Sequence, residues 1–111
     1  MPEVHIVAIF SPKPGKTERV KQLLTAQCAD VHENEDYALR FLVTEQIDVE
    51  TPDFVLFETY TSKESTDQHL KEPHFIAMSK ALQEEELLVK KPHVARTVTI
   101  AGFELDRKSI H

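Results

Sequence analysis

Two histidines, His69 and His74, stand on either side of Pro73 in the run His69-Leu70-Lys71-Glu72-Pro73-His74-Phe75. A proline pushes the residue before it out of the helical region, and it is itself well suited to open a new helix. The two imidazoles therefore flank a forced break in a helical path. An imidazole titrates near ~6.5, which makes it a natural proton acceptor close to neutral pH. Upstream, Glu58 and Tyr60 lie two residues apart on a strand-like segment. If Glu58 points inward it is a buried carboxylate and needs a partner, which His69 or Arg96 could supply. His5 interrupts an otherwise apolar strand. The chemistry these types permit is removal of a proton from a bound compound to leave an oxyanion. Arg96 and Tyr60 are the candidate donors for the oxyanion that results.

Each of these residues also has a plainer reading. His69 can cap or brace the first helical segment against Glu58. His74 can be a packing residue at the kink, and His5 a hydrogen-bonded core histidine. An outward Glu58 is only a cross-strand polar residue. The separation of His69 and His74 across a proline is not the i, i+4 spacing that sets two ligands on one helical face, so no metal site is expected. No glycine-rich phosphate loop is present, so no nucleotide cofactor is expected.

Thirteen basic and nineteen acidic residues give a net charge of -6. Binding to nucleic acid normally needs a basic face, and anionic membranes repel such a chain, so neither is expected as a partner. A single cysteine, Cys28, rules out a disulfide within the chain. The N-terminal MPEVHIVAIF has no basic lead and too short an apolar run for a signal peptide or membrane span. The expected location is cytoplasmic. At 111 residues the chain forms one domain, with limits expected at 1–105 and a loosely held tail at 106–111.

The elements that position these residues follow from hydrophobic period. Val4 to Phe10 is a strand with His5, Val7 and Ile9 on one face and Val4, Ile6, Ala8 and Phe10 on the other. Pro12, Pro14 and Gly15 mark a turn. Thr17 to His32 is an amphipathic helix with a stripe at Val20, Leu23, Leu24, Gln27/Cys28 and Val31. Glu33-Asn34-Glu35-Asp36 is a turn cluster. Tyr37 to Gln46 is a strand, with Tyr37, Leu39, Phe41 and Val43 on one face. Phe54 to Tyr60 is a third strand, with Phe54, Leu56, Glu58 and Tyr60 on one face. Thr61 is the expected cap of the next helix, with Glu64 reaching back to it. Leu70, Phe75, Met78 and Leu82 are the apolar contacts of the broken helix, and Phe75 and Met78 would offer an apolar wall to a substrate. Glu84-Glu85-Glu86 reads as a solvated face. His93 to Ile100 is a fourth strand, which residues 101–105 would extend. The order β-α-β-β-α-β is the ferredoxin-like α+β arrangement, an antiparallel sheet with helices on one face. The other face also carries apolar residues, and a second copy of the same sheet is its simplest cover.

Glu58 and Tyr60, followed by His69 to Phe75, resemble the signature of the antibiotic biosynthesis monooxygenase (ABM) domain family. Pro14-Gly15-Lys16 and the acidic turn before Tyr37 are similar too. The resemblance spans roughly Val4 to Phe103. It implies a dimeric α+β barrel. It also implies oxidation of a small phenolic, quinol-like or polyketide-derived compound by O2 without metal or organic cofactor. Other branches isomerise small molecules, degrade haem or have no known activity. The haem-degrading branch carries an asparagine on the first strand, a tryptophan at the broken helix and a later histidine. This chain has no tryptophan and no such asparagine, and Ser79 stands near the third position. The related stress-responsive A/B barrels, which include polyketide cyclases, pair a first-strand histidine with one after a proline turn. His5 and His74 are similar in placement. A binding dimer without catalysis is the third reading.

Overall fold

The computed structural model describes residues 2–110. Four strands, β1 (Val4–Phe10), β2 (Ala38–Glu45), β3 (Phe54–Tyr60) and β4 (His93–Thr97), pair antiparallel in the order β2-β3-β1-β4. Three helices, α1 (Thr17–Asn34), α2 (Lys63–His69) and α3 (Pro73–Glu84), complete a ferredoxin-like α+β fold.

The strands sort their side chains by period two. On β1, Val4, Ile6, Ala8 and Phe10 are buried; on β3, Phe54, Leu56, Glu58 and Tyr60 are. The ladders set these residues side by side, Ile6 against Glu58 and Ala8 against Leu56, so both sets face the helices. From α1, Val20, Leu24, Gln27 and Val31 meet that face. From α3, Met78 and Leu82 do so.

The turn before α1 is built by its composition. Lys16 N–H donates to the carbonyl of Lys13 at 3.0 Å, with Pro14 and Gly15 between them. Gly15 has φ +83°, which a type II turn requires at its third position. At the end of α3, Glu86 takes φ 52° and Leu87 N–H reaches back to the carbonyl of Leu82, so a glutamate fills a position that usually falls to glycine.

Several expectations need correction. The cap of α2 is Ser62, whose Oγ accepts from Ser65 N–H at 3.2 Å; Thr61 Oγ1 instead bonds Ser65 Oγ at 2.6 Å. On β2 the pairing steps from Ala38↔Tyr60 to Arg40↔Thr59, so Leu39 is an extra residue in the strand. Such a bulge reverses the alternation. Ala38, Phe41 and Val43 therefore share the helix-facing side, and Leu39 is exposed. Strand β4 ends at Thr97 rather than Ile100. Residues 101–105 do not extend it: Phe103 bridges Ser109, and Ile110 N–H donates to the carbonyl of Gly102, closing a small hairpin over the tail. Glu84, Glu85 and Glu86 are all exposed, as expected of a solvated face, and Glu85 makes a two-pronged surface ion pair with Arg19.

Among the described residues, no helix covers the opposite face of the sheet. Phe57 and Leu42 are 41% and 47% exposed there. No helix among the described residues is long and apolar enough to cross a membrane.

Candidate functional site

Between the sheet and the helices lies a cavity of about 800 Å³. Ile6, Ala8, Phe10 and Leu56 line it from the sheet, and Phe75, Met78 and Leu82 from α3. Its polar lining consists of Glu58, His69, Gln27, Ser79, Gln83, Glu86, Lys13, Lys90 and Lys91. A largely apolar pocket with a few convergent polar groups is the usual form of a small-molecule site.

The polar centre is assembled from three helix ends and a strand. Glu35 follows α1 as its C-terminal cap, its N–H bonded to the carbonyl of Val31. Only 1% of it is exposed. Its Oε1 is 2.6 Å from His69 Nδ1 at the end of α2, and its Oε2 is 2.5 Å from His74 Nε2 at the start of α3. An ionised carboxylate can only accept, so each imidazole presents an N–H to it. In the neutral ring this contact selects the Nδ1–H tautomer and leaves the lone pair on Nε2. That nitrogen lies 3.8 Å from Glu58 Oε1. The ring is fixed on its other sides by Tyr60 and Phe75, each 5.2 Å away between centroids, and by Phe41 at 6.2 Å.

Glu58 points inward. It accepts from the Tyr60 hydroxyl at 2.6 Å. Burial raises its pKa to about 7; the Tyr60 hydrogen bond pulls the other way, and the nearby negative charge of Glu35 adds to the rise. Tyr60 is itself driven well above the usual phenol range, first by burial and then by the charge of Glu58. It therefore stays a proton donor to Glu58.

A second tie fastens the same region. The Tyr37 hydroxyl donates to Glu72 Oε2 at 2.6 Å, and Glu72 is the residue that caps α3 at the helix break. That bond holds the Glu72 carboxyl below its ordinary range, while burial, followed by the bond to Glu72, raises Tyr37. Residues 35 and 37 thus clamp both sides of the break.

The structure brings four of the eight sequence candidates to the cavity wall: His69, Glu58, Phe75 and Met78. Tyr60 and His74 stand behind it, bonded to Glu58 and Glu35. His5 and Arg96 do not join them. His5 lies on the opposite face of the sheet, because β1 alternates and Ile6 takes the helix side. Its two ring nitrogens bond the hydroxyls of Thr59 and Thr99, at 2.9 and 2.7 Å. The pairing of His5 with His74 is therefore closed by the sheet that separates them. Arg96 faces the helices but is drawn to α2, where it bonds Asp67 at 3.1 Å and Thr66 at 3.3 Å. It is not the partner of Glu58; Tyr60 is.

Glu35 is the residue that sequence reading missed. Its neighbours Glu33, Asn34 and Asp36 look like a surface turn. The signal was the helical period: Val20, Leu24, Gln27, Val31 and Glu35 form one continuous inward stripe. Among the described residues, no group of three or more His, Cys, Asp or Glu is placed to hold a metal ion.

Comparison with known proteins agrees with this architecture. Rv0793 from Mycobacterium tuberculosis superposes with a TM-score of 0.78 at 28% identity, over 88% of this chain and 95% of that one. PA3566 from Pseudomonas aeruginosa gives 0.80 at 19% identity, over 91% and 97%. A conserved protein from Methanosarcina mazei Go1 gives 0.76 at 21% identity, over 87% and 92%. No curated protein sequence matches the chain. The sequence pattern described as antibiotic biosynthesis monooxygenase matches residues 3–81, most of the chain, and the chain belongs to that family.

Proposed function

We propose that the protein is a cofactor-independent monooxygenase that oxidises a small aromatic, quinol-like or polyketide-derived compound with O2. The observation that carries this reading is the His69 ring. It is anchored at Nδ1 by Glu35 and leaves Nε2 free beside Glu58, in the wall of a mostly apolar cavity. That is the arrangement of a general base with its orienting carboxylate.

In this mechanism His69 Nε2 takes the proton of an enolisable substrate. Glu35 stabilises the imidazolium that forms, and Glu58, carrying a proton, donates to the substrate oxygen where charge builds up. The electron-rich anion passes one electron to O2, and the radical pair closes a C–O bond as a peroxide, which takes up a proton. Loss of the remaining C–H proton with cleavage of the O–O bond leaves a carbonyl and releases water. Overall, a CH2 group and O2 become C=O and H2O. Phe75 and Met78 hold the ring system, and Tyr60 and His74 support Glu58 and Glu35. Excluding water protects the peroxide from side reactions.

The working unit in this reading is a cytoplasmic homodimer. The support is the helix-free sheet face, where Phe57 and Leu42 lie partly exposed among apolar neighbours.

An oxygen electrode tests the reaction with a panel of anthrones and quinols. Uptake of one O2 per substrate above the spontaneous rate is expected. His69→Ala should lower kcat at least about 100-fold, while His5→Ala leaves it within about twofold. No uptake across the panel, or an active His69→Ala variant, removes the proposal. Thermal stabilisation by the same compounds without turnover would favour a binding dimer instead.

A further inference from the structure

We propose that Gln27 determines which ligands this cavity accepts, by pairing its carboxamide with a hydrogen-bond donor beside an acceptor on the edge of a flat ring system. The inference rests on the reading of the cavity as a substrate site.

The inward stripe of α1 consists of Val20, Leu24, Gln27 and Val31, so an amide stands where packing alone would choose an apolar residue. Gln27 is 2% exposed and lines the cavity. Neither its Oε1 nor its Nε2 has a hydrogen-bond partner. Buried polar groups are nearly always paired, and leaving one unpaired disfavours the folded state. A carboxamide offers an acceptor and two donors, so this side chain has both kinds of bond to give. Both atoms are also shielded from solvent. They gain partners when a polar group enters and the side chain turns to meet it.

The location fixes which part of a ligand is read. Gln27 precedes Glu35 by eight residues, about 12 Å along a helix axis. Glu35 holds His69, so in this proposal Gln27 reads a part of the ligand other than the atom that meets His69. A two-ring or larger ligand can touch both. The matching edge is a lactam or a carboxylic acid, where N–H or O–H sits beside C=O. The surrounding walls, Ala8, Leu56, Phe41 and Met78, suit the flat apolar remainder.

The test uses 2-quinolone, which carries that edge, and naphthalene, which has the same outline without it. Binding is measured by titration on wild type and Gln27→Met. The substitution should weaken 2-quinolone about tenfold, leave naphthalene within twofold, and leave Tm equal or higher because two unpaired atoms are gone. In wild type, the Gln27 side-chain amide resonances should shift with 2-quinolone and not with naphthalene, a result that needs no variant. Failure of wild type to bind 2-quinolone, equal loss of both ligands, a lowered Tm, or unmoved amide resonances would each overturn the proposal. The assay reads binding alone, so failure of the oxygenase reading appears separately, as absent O2 uptake.

Discussion

Replacing Glu58 with glutamine should make the protein more stable at neutral pH and less stable relative to wild type as acid is added. Burial lifts the Glu58 pKa from 4.5 to about 7. The native state therefore holds a proton between those values that the unfolded chain releases. For an acid raised on folding, stability is highest below pH 4.5 and falls as pH rises through this window. The full loss, reached above pH 7, follows from 1.36 kcal/mol for each pH unit between the two values, or about 3 kcal/mol. Glutamine is neutral throughout, and its carbonyl can still accept from the Tyr60 hydroxyl. The difference between Glu58→Gln and wild type should then grow from pH 4.5 to pH 7 and level off, with a slope of no more than about 1.4 kcal/mol per pH unit.

Urea unfolding at pH 4.5, 6 and 8, at one fixed protein concentration, reads this directly. At pH 8 the gain corresponds to about 10 °C or more in Tm for a domain of this size. His69, Tyr60 and Glu35, the groups around Glu58, are present in both proteins, so their own contributions largely cancel in the difference. Two unfolding series that run parallel across pH would refute the reasoning, since they would mean that Glu58 titrates alike in both states. Under the oxygenase reading the same change reaches catalysis. Wild-type activity that depends on a protonated Glu58 should decline as pH rises past 7, and the glutamine variant should lose that limb of the profile.

Glu35→Ala leaves two buried imidazole N–H groups without an acceptor, at about 1–3 kcal/mol each; a fall in Tm of more than 10 °C by calorimetry is expected, with Glu35→Gln intermediate because the amide oxygen still accepts one bond. Phe57→Glu with Leu42→Glu places like charges across a β2–β3 pair on the open sheet face, and sedimentation should find monomers where wild type sediments as a dimer; a wild-type monomer at micromolar concentration would end the dimer reading.

How far the sequence could be read depends on whether local chemistry or tertiary context decides each residue. Strands β1 and β3 were legible because strict alternation on regular ladders sends Ile6 and Glu58 the same way, and nothing interrupts it. Strand β2 was not. The extra residue at Leu39 has no glycine or proline to announce it, and one insertion moves every residue beyond it to the other face. The helix break at Pro73 was legible because proline geometry is local. The partner of His69 and His74 was not, because an acidic run before a strand has the composition of a solvated turn; only the stripe through Val31 sends Glu35 inward. His5 misled for the opposite reason. A histidine on an apolar strand looks like a site residue, but its ladder partner Thr59 and Thr99, just beyond the end of β4, bond both ring nitrogens on the far side of the sheet.

The site depends on one carboxylate to a degree that composition would not suggest. Glu35 caps α1, His69 ends α2 and His74 begins α3, so a single carboxylate ties three helix ends together. The Tyr37–Glu72 bond repeats the connection two residues later. A carboxylate buried for packing alone would be a poor choice, since apolar residues of similar size serve as well or better. Its retention makes sense if what is needed is a fixed imidazole orientation and tautomer rather than stability. The neighbouring Glu58 fits the same reading: burial raises its pKa to about 7, and it stands 3.8 Å from His69 Nε2 at the cavity wall. Under the oxygenase reading, Glu35 fixes the base and Glu58 stands beside it, an arrangement that suits proton transfer better than packing.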